Sequence, residues 1–216
     1  MSNTYFKFKQ FTIHQERCAM KVCTDACLLG AYTANRIHEG PLPVQNLLDI
    51  GTGTGLLSLM LAQKSNAQID AVELNAAAAS QAKENFIQSP WADRIQLYPV
   101  SIQQFVSPKK YDLIISNPPF FENDLKSAQA VKNDAMHDTG LTLGELVIVI
   151  QERLSATGRA FILLPYHRIQ YCKILLETRG LFINEIVNIQ PGPRHPYNIS
   201  ILVLSIQKSI YKENTL

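Results

Sequence analysis

Two short runs combine residue types and spacing that suit chemistry on a bound small molecule. Asn117-Pro118-Pro119-Phe120 sets an amide beside two rigid imino acids and an aromatic ring, and Asp49-Ile50-Gly51-Thr52-Gly53-Thr54-Gly55 sets alternating glycines behind an acid. The first run suits an exocyclic amine. Such an amine is a poor nucleophile because its lone pair is delocalised into the ring, so alkylation needs that lone pair aimed at the electrophile. The Asn117 side-chain oxygen and the Pro118 carbonyl can each accept an N–H bond and hold the nitrogen in developing tetrahedral geometry. No strong base is needed, because the alkylated nitrogen is acidic. The prolines stiffen the loop and Phe120 offers a π-face to a planar base. The alternative is a strand stopped by Pro-Pro, with Phe120 and Phe121 in the core.

The glycine run has a different use. A chain that turns sharply from strand to helix while a ligand lies on its backbone needs residues without a Cβ and with access to positive φ. Its GxGxG spacing differs from the GxGxxG of dinucleotide sites, which weighs against a hydride-transfer enzyme. Glu73, at the end of the next strand-like run, fits a carboxylate accepting both hydroxyls of a ribose; a solvated strand-end charge is the alternative. Asp49 is expected to order the loop or to reach a cofactor amine, with the backbone at Gly51 and Gly53 against the cofactor. Asp25, in Lys21-Val22-Cys23-Thr24-Asp25-Ala26-Cys27, belongs to a preceding segment that can cover the same ligand.

These residues need a scaffold, and apolar runs of strand length alternating with helical periods predict a parallel sheet covered by helices on both faces. Strands are expected at Val44–Ile50, Ile69–Leu74, Ile95–Val100, Tyr111–Ser116 and Arg159–Leu164. Helices are expected at Leu56–Lys64, from Ala76 to about Phe86 with Asn75 as N-cap, and at Gly140–Leu154. Leu181–Ile189 and Ile199–Ile206, joined by the Pro/Gly-rich stretch Gln190–Asn198, read as an antiparallel hairpin closing the sheet. The organisation expected is an N-terminal covering segment, 1–43, a core domain, 44–206, and a short tail, 207–216. Both chemical runs then fall at the carboxyl edge of the sheet, where open α/β folds bind ligands.

Composition narrows the classes. At 216 residues and 46% hydrophobic content, the chain suits one α/β domain. Its cysteines, at 18, 23, 27 and 172, form no CxxC pair and no zinc-ligand spacing, so reduced buried thiols are expected rather than a metal site or disulfides. None lies in the context that a cytosine C5 nucleophile needs. The absence of a signal-like or 18-residue apolar run predicts a soluble cytoplasmic protein with no membrane partner, taken as a monomer. A net charge of +2 permits a nucleic-acid partner without demanding one.

The two chemical runs resemble those of class I amino-methyltransferases. Phe8-Lys9-Gln10-Phe11, Arg17-Cys18-Ala19-Met20-Lys21-Val22, Thr24-Asp25 and Gln88-Ser89-Pro90-Trp91-Ala92 further resemble the bacterial valine-tRNA adenine N6 methyltransferases, from residue 6 to about 205. The resemblance implies a Rossmann-like sheet of seven mostly parallel strands with the last antiparallel. It implies S-adenosylmethionine as cofactor and a tRNA adenine beside the anticodon as target. It also implies that Asn117, Pro118 and Phe120 hold the adenine and Glu73 the cofactor ribose, with Leu74, Ser101, Ile102 and Asn117 completing the cofactor contacts. Three positions depart from the family pattern. Ser101 stands where an acid often meets the cofactor adenine, Phe120 replaces the commoner tyrosine, and Met136 beside His137 replaces an expected arginine.

RNA binding has its own candidates. Lys7, Lys9, Arg17 and Lys21 are interleaved with Tyr5, Phe6, Phe8 and Phe11, a composition suited to phosphate contact and base stacking. The aromatics equally suit an edge hairpin packed on the domain. Arg194 and His195, in the Pro-rich loop, read either as RNA contacts or as a solvated turn. His137 and His167 read as surface or satisfied histidines. A protein glutamine N5-methyltransferase is the second enzyme reading, since the same Asn-Pro-Pro run grips an amide nitrogen. A non-catalytic binding module predicts loss of the glycines or of Asn117, and neither is lost.

Overall fold

The computed structural model describes residues 3–18, 20–39, 44–118, 141–192 and 194–216. An antiparallel hairpin of β1 (Tyr5–Lys7) and β2 (Thr12–His14) precedes α1 (Thr24–Glu39). The core then alternates β3 (Asn46–Ile50), α2 (Leu56–Ala62), β4 (Gln68–Val72), α3 (Ala76–Ile87), β5 (Ile95–Tyr98) and β6 (Tyr111–Ser116). After α4 (Leu143–Arg153) come β7 (Leu154–Pro165), α5 (Ile169–Glu177), β8 (Phe182–Ile189), β9 (Ile199–Ser205) and β10 (Lys212–Thr215). The large sheet runs β10-β8-β9-β7-β6-β3-β4-β5. Only β9 opposes its neighbours, being antiparallel to β7 and β8.

The central strands β3, β4, β6, β7 and β9 are buried on both faces over most of their length, which is why they read as continuous apolar runs. Their side chains alternate between two cores. Leu47, Ile69, Leu113, Ile115 and Phe161 face α1, α2 and α3, whereas Leu48, Ile50, Ile114, Ile162 and Leu164 face α4 and α5. The helix ends follow their caps. Asn75 Oδ1 accepts from Ala77 N and Ala78 N, both at 3.0 Å, as its position predicted. At α4 a capping box between Thr142 and Glu145 sets the start at Leu143, later than the expected Gly140.

Four features depart from the expected architecture. The sheet has eight strands rather than seven, because Lys212–Thr215 within the tail pairs in parallel with β8. Residues 24–39 form a helix whose buried face is Ala26, Leu29, Gly30, Thr33 and Ala34. A Cβ at Gly30 would lie 2.5 Å from Met60 Sδ, so α1 and α2 pack closely here and any larger residue requires the Met60 side chain to move. Strand β7 starts at Leu154, with an irregularity opposite Tyr111–Leu113 before the regular pairing at Arg159. The fourth is α5, whose inner face is Ile169, Cys172 and Leu176. No described helix is long and apolar enough to cross a membrane.

Candidate functional site

Register places the chemistry. Ile50 pairs with Val72 on one side and with Ser116 on the other, so the next residues, Gly51, Glu73 and Asn117, leave three adjacent strands side by side. Neighbouring strands lie about 4.8 Å apart, which brings all three within reach of one small molecule. The edge is fastened by hydrogen bonds. Ser116 Oγ donates to Ile50 O at 2.9 Å, and Gly51 N and Thr52 N both donate to Val72 O, at 2.9 and 3.1 Å.

The glycine loop turns directly into α2. Gly51 and Gly53 have φ of +71° and +57°, and a Cβ on either would meet nothing within 4 Å, so bare backbone faces open space. Gly55, with φ +84°, is constrained from the other side: a Cβ there would lie 2.4 Å from the Phe86 ring. Glu73 holds this loop in place. One carboxylate oxygen accepts from Gly53 N and the other from Asn75 N, each at 2.8 Å.

Asp49 is fully buried below the loop. Its Oδ2 accepts from Thr52 Oγ1 at 2.6 Å, Ser58 Oγ at 2.7 Å and Ser58 N at 3.1 Å, while Oδ1 has no partner. Burial pushes its carboxyl up to about 6, against the opposing pull of the Ser58 and Thr52 hydrogen bonds. The segment before α1 lies close by. The buried Cys18 thiol is pushed up to about 11, first by desolvation and then by the negative charge of Glu73.

The other sequence candidates sort by position. Leu74 is 55% exposed beside Glu73, a large apolar side chain standing in solvent at the strand end. Ser101 and Ile102 follow β5 at the same edge; Ser101 is half-buried and accepts from Gln104 N at 3.3 Å, and Ile102 is buried in the α4–α5 core. Asn117 is partly exposed and Pro118 buried. Phe120, Met136 and His137 lie outside the described residues. Asp25 is exposed in the first turn of α1, and among the described residues no hydrogen bond joins it to the glycine loop.

The basic candidates divide. Lys7 and Lys9 are exposed on the hairpin and Arg194 is exposed in the β8–β9 loop. Arg17 instead pairs with Glu84 and donates to Ser80 Oγ at 3.1 Å, and Lys21 Nζ donates to Asn3 O at 3.4 Å. The hairpin aromatics divide too. Phe8 stacks on Phe11 at 4.6 Å and Phe11 meets Trp91 edge-on at 5.8 Å, whereas Tyr5 and Phe6 remain exposed.

Sequence reasoning missed Asn85. Buried on α3, its amide donates to His14 O at 2.9 Å and Thr54 O at 2.8 Å, and its carbonyl accepts from His14 N at 2.9 Å. One side chain thus ties the hairpin to the glycine loop. The signal was a polar residue on the buried stripe of Ala78, Ala82 and Phe86.

Comparison with known proteins bears on the same residues. Residues 34–178 match the family described as methyltransferase small domain. A Cytophaga hutchinsonii protein named tRNA1(Val) (adenine(37)-N6)-methyltransferase is 49% identical over 173 residues, covering 77% of this chain and 69% of that protein. A Trichodesmium erythraeum protein of the same name is 40% identical over 221 aligned residues, covering 100% and 90%. A solved structure of a Listeria monocytogenes protein assigned to the class I S-adenosylmethionine-dependent methyltransferases aligns with a TM-score of 0.65 at 13% identity, covering 90% of this chain and 68% of that one. The last likeness concerns the fold alone.

The Asn85 bridge has a measurable consequence. Asn85→Ala removes three hydrogen bonds and leaves two backbone carbonyls and an amide without their partner. The expected loss is about 2–4 kcal/mol of unfolding free energy in urea titration. A loss under about 0.5 kcal/mol, the size of an ordinary surface change, would show that the hairpin is held by its aromatics instead.

Proposed function

The chain belongs to the tRNA1(Val) (adenine(37)-N6)-methyltransferase family, among the methyltransferase small-domain proteins, and from that membership we propose that it methylates N6 of an adenine beside the anticodon of a valine tRNA. The observation that carries this reading is the register that sets Gly51, Glu73 and Asn117 side by side. A tRNA substrate puts the reaction in the cytoplasm.

The cofactor is S-adenosylmethionine, and the residues at the edge fit its parts. Glu73 spends one lone pair of each oxygen on Gly53 N and Asn75 N, which leaves acceptor capacity for two ribose hydroxyls. The unpartnered Asp49 Oδ1 is a buried acceptor suited to an ammonium group. Bare backbone at Gly51 and Gly53 admits a ligand against the loop. We place Leu74, Ser101 and Ile102 around the cofactor adenine, and Asp25 over the methionine end.

When bound, the cofactor supplies an electrophilic methyl on a sulfonium whose leaving group is a neutral thioether. The protein's part is to present the nucleophile. Asn117 Oδ1 and the Pro118 carbonyl accept the two N–H bonds of the target amine, and Phe120 stacks on its ring. Both acceptors bind more strongly as the nitrogen turns cationic, which concentrates their effect in the transition state. The methylated nitrogen then loses its proton to water. Lys7, Lys9 and Arg194 meet RNA phosphates; Lys21 adds to this charge, and Arg17 joins by exchanging Glu84 for a phosphate.

Transfer from labelled S-adenosylmethionine to separated tRNA, DNA and protein tests the reading directly. Label is expected in tRNA as N6-methyladenosine, and label on protein glutamine would overturn it. Asp49 makes the cofactor step pH-dependent. Its folded pKa is raised from 3.8 to about 6, so ionisation within the fold is costly and the cofactor-free protein loses stability as pH rises through that window. Below about 6 the carboxyl is neutral and attracts an ammonium weakly, so affinity for S-adenosylhomocysteine should fall as pH drops through this value. Asp49→Asn should bind about 5- to 150-fold more weakly near neutrality and lose that pH dependence. An unchanged dissociation constant by calorimetry would leave Asp49 with loop ordering alone.

Asn117 tests the amine grip. Asn117→Ala should lower kcat by about 10²–10³ with a smaller effect on tRNA affinity, and Asn117→Asp, which keeps an acceptor, should retain more activity. Single-turnover transfer at saturating cofactor and tRNA measures both. A wild-type rate for the alanine variant would sink the mechanism.

A further inference from the structure

The carboxyl edge continues beyond Asn117. Ser116 pairs with Ile162, and β7 runs on to Pro165, which pairs with Ile199 at the start of β9. Tyr166, on the neighbouring strand, therefore stands about 10 Å further out in the strand direction than Asn117, three residues at the rise of a strand. Its backbone N donates to Asn198 O at 2.9 Å, which joins the end of β7 to the β8–β9 loop. Across that joint the Tyr166 and Tyr197 rings meet with centroids 5.2 Å apart at 49°.

This pair does not serve the core. Tyr166 is 42% exposed and belongs to neither hydrophobic core, and the Tyr197 hydroxyl is fixed by Thr215 Oγ1 at 3.2 Å. The setting is cationic. His167, Arg194 and His195 are exposed alongside, and Arg168 follows, its guanidinium 5.8 Å from the Tyr171 ring centroid. Neither 165–170 nor 189–200 contains an acidic residue. An exposed ring pre-oriented against a half-buried one, on two segments that carry basic residues and no acids, has the composition of a stacking platform for unpaired bases, in which side chains offer π-faces and cations track the phosphates.

We propose that Tyr166 and Tyr197 form a second base-stacking site, which receives an unpaired base flanking the adenine held at Asn117 while Arg194 and Arg168 meet the adjoining phosphates. The inference rests on the tRNA reading above. A base methylated at an amine is taken out of its stack, and the neighbour it leaves loses a stacking partner. An aromatic platform one or two nucleotides from the reacting amine replaces that partner and fixes which base enters the site.

The test uses an RNA hairpin with the anticodon stem and loop of valine tRNA, intact or with a single abasic nucleotide at each position flanking the target adenine. Wild type should lose about 5- to 150-fold in affinity at one flanking abasic position, the range for one stacked base. Tyr166→Ala/Tyr197→Ala should bind the intact hairpin more weakly by a similar factor and not distinguish it from that abasic hairpin. Tyr166→Phe/Tyr197→Phe, which keeps both rings, should behave as wild type. Unchanged affinity for S-adenosylhomocysteine checks the fold of each variant. An alanine variant that discriminates between the hairpins as wild type does would overturn the platform. If wild type leaves both the hairpin and whole tRNA unmethylated, the tRNA reading itself fails and the platform falls with it.

Discussion

A carboxylate with no exposed surface, Asp49, is the constraint around which the functional edge is built. Removing a carboxylate from water costs several kcal/mol unless donors replace the water, so its neighbours are obliged to supply them. Thr52 and Ser58 do so from the loop and from the first turn of α2, which fixes the loop path and the helix start together. The positive φ at Gly51, Gly53 and Gly55 is what lets the chain close around that carboxylate and still present bare backbone outward. One oxygen is left over.

A second buried acid shows what that leftover oxygen means. Asp70, in β4, accepts from Lys109 Nζ at 2.9 Å and from the Tyr111 hydroxyl at 2.8 Å through one oxygen, and Lys109 also reaches the other at 3.2 Å. It is satisfied on both sides, and it clamps β4 to the start of β6. Asp112 does similar work at the amino edge, accepting from Gln45 N at 2.9 Å and Asn46 N at 3.1 Å. The acids that organise the sheet are paired, whereas the acid at its carboxyl edge keeps one buried oxygen unpartnered. Burial alone does not separate the two roles; satisfaction does.

Much of this was legible because β3, β4 and β6 are buried on both faces, so hydropathy marks them and their carboxyl ends locate Gly51, Glu73 and Asn117. Asn75 was legible as a cap because only a short polar side chain preceding an alanine run serves that role well. Other elements carry no such mark. Helix α1 packs through Leu29 and the small residues Ala26, Gly30, Thr33 and Ala34, so most of its buried face has slight hydropathy contrast. Strand β10 is Lys-Glu-Asn-Thr, exposed throughout, and is held by backbone pairing to β8 with help from Asn214 Nδ2 on Glu185 at 2.6 Å. Arg17 has a contact of another kind. Its basic character suggests phosphate, and its partner Glu84, 67 residues away in sequence, is invisible to any local reading.

Helix α3 is where the separate requirements meet. Its N-cap Asn75 shares Glu73 with the glycine loop, Asn85 on its buried face ties that loop to the hairpin, and Arg17 clasps its outer face through Glu84 and Ser80. The N-terminal segment is fixed in turn by Gln15, which accepts from Val22 N at 2.8 Å and donates to Asn3 O at 3.0 Å. The hairpin is too short to be stable alone, so its position is whatever α3 dictates. Because the same helix positions the glycine loop and the hairpin that carries Lys7, Lys9 and the exposed aromatics, the proposed phosphate contacts would be held at a set place relative to the proposed cofactor site. On that proposal a net charge of only +2 suffices, since a few cations placed on a rigid frame register an RNA by their position rather than by their number.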